Sequence, residues 1–155
     1  MEKPIKSFPV PSEEEPLVLM VTGSRKHTNR AFIKAVLDSF LLYAHPNRPY
    51  LIEGGAEGTD KIARDWAWAN KVPCTTFEAD WGRYGRRAGP IRNSRMLDSK
   101  PSMMLAFPLG SFDEKLSRGT YNAIEIALNR GIPTAIFRAD PATHKIISYQ
   151  SYFQD

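Results

Sequence analysis

Leu17-Val-Leu-Met-Val-Thr-Gly-Ser-Arg25 runs from an uninterrupted apolar stretch straight into a glycine and two polar residues. Apolar side chains without alternation describe a strand buried on both faces, as in a parallel sheet covered by helices. Two further segments follow the same grammar. They are Tyr50-Leu-Ile-Glu-Gly-Gly-Ala-Glu-Gly-Thr-Asp60 and Met103-Met-Leu-Ala-Phe-Pro-Leu-Gly110, the latter leading on to Arg118-Gly-Thr120. A strand that passes through small residues into a helix start leaves backbone N–H groups without intrahelical partners. Those groups lie at the positive end of the helix dipole and suit a phosphate. Such turns converge on one edge of a parallel sheet, where this architecture places its ligand crevice.

Outward from these anchors the pattern alternates. Asn29 caps a helix carrying Phe32, Ile33, Val36, Leu37, Phe40 and Leu41. Gly58 or Thr59 opens a second helix through Ile62, Ala63, Trp66, Ala67 and Ala69, and Cys74 to Phe77 reads as a strand. An irregular stretch is expected from Asp80 to Ala88, then a helix with Pro90 in its first turn. Strand Met103–Phe107, a helix after Gly119 and strand Thr134–Phe137 complete the series. Alternating strands and helices with short turns predict one three-layer α/β/α domain over residues 17–138, with a mainly parallel sheet of about five strands. Residues 1–16, rich in Pro and Glu, read as an extended leader. Residues 139–155 read as a tail adding an edge strand at Lys145–Tyr149.

Composition excludes several classes. The single cysteine, Cys74, forbids an intramolecular disulfide and reads as a core thiol. No segment reaches the roughly 20 apolar residues of a membrane span, and the N-terminus lacks an apolar signal core. A cytoplasmic protein without membrane contact is expected. His27, His45 and His144 have no metal-ligand spacing, so no metal is assigned, and no nucleophile–base pair follows from spacing. The net charge of +4 biases the chain mildly towards anions. Arg83, Arg86, Arg87, Arg92 and Arg95 crowd one stretch beside Trp81 and Tyr84. Cations without interleaved acids repel one another, and phosphates would relieve that cost.

The candidate ligand-binding residues fall into four groups. Gly23 turns the chain, Ser24 offers a hydroxyl and Arg25 projects beyond the strand. Gly54, Gly55 and Gly58 allow close backbone approach, while Thr59 supplies a cap and a donor. Asp60 either complements the helix dipole or accepts from ribose hydroxyls. Arg92 and Arg95 lie on neighbouring positions of one helical face, and Asn93 could read a base or ribose edge. Pro108, Gly110, Gly119 and Thr120 form the last group, with the Gly119-Thr120 helix start suited to phosphate. Neither the dinucleotide Gly-X-Gly-X-X-Gly pattern nor the Walker pattern occurs, and no cofactor is implied.

Val21-Thr-Gly-Ser-Arg25, Glu53-Gly-Gly-Ala-Glu-Gly-Thr-Asp60, Ala88-Gly-Pro-Ile-Arg-Asn-Ser-Arg-Met-Leu97 and Leu105-Ala-Phe-Pro108 together resemble the YspA-related branch of the SLOG superfamily. That superfamily also holds the lysine-decarboxylase-like cytokinin-activating enzymes and the DNA-processing protein DprA. The resemblance spans Leu17 to Phe137. It implies a Rossmann-like sheet that binds a nucleotide or a nucleotide-derived, ADP-ribose-like signal, as a sensor or sequestering protein in phage–host conflict. It also implies a homo-oligomer, for which Trp66 and Trp68 could supply a dimer surface.

One motif departs from the superfamily. The cytokinin-activating enzymes carry Pro-Gly-Gly-X-Gly-Thr followed by an acidic pair. Here Ser111–Arg118 separates Pro108-Leu-Gly110 from Gly119-Thr120, and Tyr121 and Asn122 follow. The remaining carboxylates, Glu53, Glu57, Asp60, Asp80 and Glu125, do not stand at the acid's position, so catalytic residues stay unassigned. Binding without turnover is the leading expectation. A nucleotide N-glycosidase is second. A DprA-like single-strand nucleic-acid binder, stacking bases on Trp81 and Tyr84, is third.

Overall fold

The computed structural model describes residues 3–4 and 15–153. The strands are β1 (Lys3–Pro4), β2 (Leu17–Gly23), β3 (Pro49–Glu53), β4 (Cys74–Thr76), β5 (Met103–Phe107), β6 (Thr134–Ala139) and β7 (Ile146–Phe153). The helices are α1 (Arg30–Ala44), α2 (Thr59–Ala69), α3 (Trp81–Tyr84), α4 (Ala88–Asp98) and α5 (Arg118–Asn129). They build one sheet in the order β1-β7-β6-β5-β2-β3-β4. The stretch β4-β3-β2-β5-β6 is parallel throughout, with Leu19 paired to Leu51 on one side and Met103 on the other. β7 joins antiparallel to β6, and β1 antiparallel to β7.

The apolar run of β2 explains the layering. Leu17, Leu19 and Val21 point to one face, against Ile33, Leu37 and Phe40 of α1 and Ile62 and Trp66 of α2. Met20 points to the other, against Met96 and Leu97 of α4 and Ala123, Ile124 and Ala127 of α5. Period-two alternation inside an all-apolar strand thus feeds two cores, and the result is a Rossmann-like α/β/α domain. Asn29 caps α1 by accepting from the Phe32 amide at 3.2 Å. Trp66 Nε1 donates to Asp38 Oδ1 at 2.9 Å and ties α2 to α1.

β3 lies on one side of β2 and β5 on the other, so the chain reverses direction across the sheet between them. Ligands of open α/β sheets bind in the crevice outside such a switch point.

Three local expectations need correction or extension. The stretch 80–88 is helical rather than irregular. Asp80 caps α3 by accepting from the Arg83 amide at 3.1 Å, and a 3₁₀ turn at Gly85–Arg87 runs into α4. Trp66 is 2% exposed and belongs to the core, so it cannot form a dimer surface. Strand β7 is longer than the Lys145–Tyr149 stretch, and β1 rather than β7 ends the sheet. Of the leader, residues 1–2 and 5–14 lie outside the described residues. Among the described residues no helix is long and apolar enough to cross a membrane.

Candidate functional site

A cavity of about 580 Å³ opens above the C-terminal ends of β2 and β5. The loop after β2 contributes Gly23, Ser24, Arg25 and Lys26, and the α2 entrance contributes Ala56 and Asp60. Arg86, Gly89, Pro90 and Arg92 come from the α4 entrance, and Ser117 to Thr120 with Asn122 from α5. Trp81, half exposed, and Leu116 form an apolar lip. A second cavity of about 360 Å³ adjoins it across Arg25, Ala56, Trp81 and Arg92, and is walled by Gly54, Gly55, Glu57 and Glu78. Arg25 lies 5.9 Å over the Trp81 ring, on the boundary between the two.

The start of α5 is open. Its flanking residue Ser117 turns its hydroxyl away, accepting from the Leu109 amide at 2.9 Å and donating to the Leu109 carbonyl at 3.2 Å. The helix therefore receives no side-chain cap and has no acidic residue in its first turn. A side chain at Gly119 would meet no atom within 4 Å. The first-turn residues Arg118, Gly119 and Thr120 of α5 line the cavity, and that turn holds no acidic residue to compete for its amides.

The start of α2 is closed. The Thr59 amide and hydroxyl both donate to the Ser24 carbonyl, at 3.1 and 3.0 Å. A Cβ on Gly23 would collide with the Thr59 side chain, and one on Gly58 would lie 2.5 Å from the Arg25 backbone. Gly58 also has φ 68°, a conformation that disfavours any side chain. These residues lock the β2 loop onto α2, and Thr59 has no exposed surface.

Two carboxylates lie beneath this lock with different fates. Glu53, with no exposed surface, accepts from the Gly55 amide at 2.7 Å, from Arg64 at 3.3 Å and from the Thr76 hydroxyl. Its acceptors are occupied. Asp60 is 5% exposed, and one oxygen accepts from the Ala56 amide at 3.3 Å. Its other oxygen, Oδ1, has no partner among the described residues. Burial, and then the neighbouring Glu53, push the Asp60 carboxyl up to about 7, against the pull of the Ala56 amide, of Arg92 and of the Gly54 amide, which lies near the carboxyl outside hydrogen-bond geometry. Burial and Glu53 also push the Cys74 thiol up to about 12, which disfavours the reactive thiolate; Cys74 is only partly buried and packs against the core rather than within it.

The other candidate residues divide. Arg92 lines both cavities, but it is tethered, donating to the Gly54 carbonyl at 2.5 Å and to Asn93 Oδ1 at 2.9 Å. Asn93 is buried and donates to the Gly119 carbonyl and to Asn122 Oδ1, both at 3.1 Å, so its amide holds α4 against α5. Arg95 sits 5.9 Å over the Phe77 ring and lines neither cavity. The Pro108 carbonyl accepts from Ala139, while Gly110, at φ 74°, donates to the Ala139 carbonyl. That pair braces the β5 loop on β6, outside both cavities. Gly54 and Gly55 face the adjoining cavity; Gly23, Ser24, Arg25, Asp60, Gly119 and Thr120 meet in the main one.

Sequence reasoning missed Lys26, Gly89, Arg118 and Asn122 as lining residues, and placed Trp81 and Arg86 only in a general basic loop. Arg118 carried a signal, as a cation next to Gly119-Thr120.

Comparison with known proteins agrees with this architecture. The model of the YspA, cpYpsA-related SLOG family matches residues 17–84, from β2 to the end of α3. The Gene 61 protein of Mycobacterium phage D29 is 34% identical over 129 residues, spanning 79% of this chain and 98% of that protein. With the α/β/α sheet and the glycine turns at its C-terminal edge, these matches establish that the chain belongs to the YspA, cpYpsA-related SLOG family.

Proposed function

We propose that the protein binds a nucleotide, or a nucleotide-derived signalling molecule of ADP-ribose type, in the cavity above β2 and β5. Family membership already points to a nucleotide-related function. The open α5 N-terminus carries the proposal, because it faces a cavity lined by Arg25, Lys26, Arg86, Arg92 and Arg118. A phosphate at Gly119 and Thr120 would accept from backbone amides and neutralise cations that otherwise repel one another. The exposed face of Trp81 offers a stacking surface for a base at the mouth. The protein acts as a sensor or sequestering protein in the cytoplasm, as a homo-oligomer and without a cofactor. The phage relative fits a role in phage–host conflict.

One observation favours a second reading, nucleotide N-glycosidase. Asp60 titrates near neutrality at the wall of the same cavity, a property suited to general acid–base work. It could serve where the acid after Gly119-Thr120 is missing.

A thermal-shift screen across nucleoside monophosphates, NAD, ADP-ribose and its cyclic isomers tests the proposal. Binding stabilises the fold by about 2.7 kcal/mol when ligand stands at 100 times its dissociation constant, so a true ligand gives a clear shift. No shift from any member of the screen rejects small-molecule nucleotide binding. A shift accompanied by release of free base, read by chromatography, selects the enzyme.

A further inference from the structure

Asp60 is the one carboxylate in the main cavity wall among the described residues, and its chemistry does not match the cations around it. A carboxylate next to a bound phosphate is repelled, so the ligand atom beside Asp60 cannot be another anionic oxygen if the acid is ionised. An acid at that position would be a liability unless the ligand offers it a proton donor. Oδ1 lacks any partner among the described residues, although the side chain is more than nine-tenths buried. Buried acceptors in proteins are normally satisfied, so Oδ1 calls for a donor from outside the described residues. Asp60 lines the cavity wall, so a ligand seated there is placed to supply that donor.

We infer that Asp60 accepts a hydrogen bond from the 2′-hydroxyl of the ligand's ribose, so that the site selects ribose over deoxyribose phosphates. This rests on the nucleotide-binding reading and specifies it. Three features support it. The phosphate anchor on α5 and the acid on α2 belong to different walls of one cavity, which suits a ligand presenting an anion to one and a neutral donor to the other. The second Asp60 oxygen already accepts from the Ala56 amide, and each added donor favours the ionised form. Charged neighbours also divide around it. Glu53 on β3 opposes ionisation and Arg92 on α4 favours it, while Arg25 from the β2 loop and Arg118 from α5 share the cavity.

A linkage follows. With its carboxyl near 7, Asp60 is about half protonated at neutral pH. A hydroxyl donor stabilises the ionised form, so binding expels the proton. A ligand oxygen that accepts from the neutral acid does the reverse and draws a proton in. The direction of proton flow therefore separates the two modes.

The test is titration calorimetry at pH 7 in two buffers of different ionisation heat, on the wild-type protein and Asp60→Asn. The probes are the four ribonucleoside 5′-monophosphates, ADP-ribose and the 2′-deoxynucleotides. Protons lost by the ligand phosphate appear in both proteins and cancel in the difference. The expected result is release of about half a proton more by the wild type than by Asp60→Asn. Deoxynucleotides should bind the wild type about 10- to 100-fold more weakly than ribonucleotides, the scale of one hydrogen bond to a charged group. Asp60→Asn should lose that preference. Should the variant not fold, the ribose and deoxyribose pair on the wild type still decides the matter. Binding with equal affinity for both sugars, no difference in proton release, or proton uptake overturns this inference alone. Binding by none of the probes overturns the nucleotide reading, and this inference with it.

Discussion

Helices α2 and α5 carry the same dipeptide near their starts, Gly58-Thr59 at the entrance of α2 and Gly119-Thr120 in the first turn of α5, each downstream of a parallel strand. Their ends have opposite fates. At α2 the Ser24 carbonyl takes both donors of Thr59, and the glycines exist because backbone and side chains press against them. At α5 the flanking hydroxyl turns away, no acid complements the first turn, and Gly119 faces open space. A glycine in such a turn can thus mean close packing or close ligand approach. Only the atoms opposite it decide which.

The comparison breaks most visibly under substitution. Gly23→Val should destabilise the fold by about 3 kcal/mol or more, since an overpacked side chain must displace Thr59. Gly119→Ala should instead leave the unliganded fold intact or raise its stability by about 0.5–1 kcal/mol, through better helix propensity. Urea denaturation of the two variants reads both. A folded, unaltered Gly23→Val would show that the lock at α2 is absent.

Asp60→Asn comes next. A carboxyl raised from its ordinary value to about 7 contributes stability below about pH 4, and that contribution is lost as pH rises through 7. Asp60→Asn should therefore be more stable than wild type at pH 8, by roughly 2 kcal/mol after the amide's own unmet hydrogen bond is counted, and no more stable at pH 4. Thermal melts at the two pH values check it, and an equal difference at both would remove burial as the cause.

Arginines on the two sides of the cavity should then separate. Arg118→Ala, at the open α5 end, should weaken nucleotide binding by about 1.5 kcal/mol with stability unchanged. Arg92→Ala should weaken binding and also cost about 1–2 kcal/mol of stability, because the Gly54 carbonyl loses its partner. Calorimetric titration beside melting curves distinguishes them. Equal stability of both variants would remove the tether from Arg92.

The smallest expected effect is a cancellation. Burial, aided by His144, pushes His27 down to about 4, so its contribution is present above pH 6.5 and lost as pH falls through 4. Over that window Asp60 acts in the opposite direction. Their summed effect on the melting temperature between pH 4.5 and 6.5 should be slight, whereas Asp60→Asn should show an additional decline towards acid. Parallel profiles for the two proteins would contradict the cancellation.

Much of this was legible in the chain. The unbroken apolar run of β2 could only be buried on both faces, and period two then assigns Leu19 and Met20 to opposite cores. Asn29 announced a helix start because its side chain reaches an amide three residues on, which is local chemistry. Asn93 and Arg95 were not legible. Their helix was foreseen, yet which face meets α5 and which meets Phe77 depends on how two distant segments dock.

The sequence by itself determined the alternation of strands and helices, the central strand and the glycine turns at one sheet edge. Hydrophobic period, capping and turn chemistry act over a few residues and are written there directly. Tertiary structure alone decided that α5 rather than α2 keeps its amides open, that Glu53 is satisfied while Asp60 is not, and that Arg92 is tethered. Those outcomes turn on which carbonyl, hydroxyl or guanidinium arrives from far along the chain, and the low dielectric of a buried site then magnifies the difference between a met and an unmet hydrogen bond.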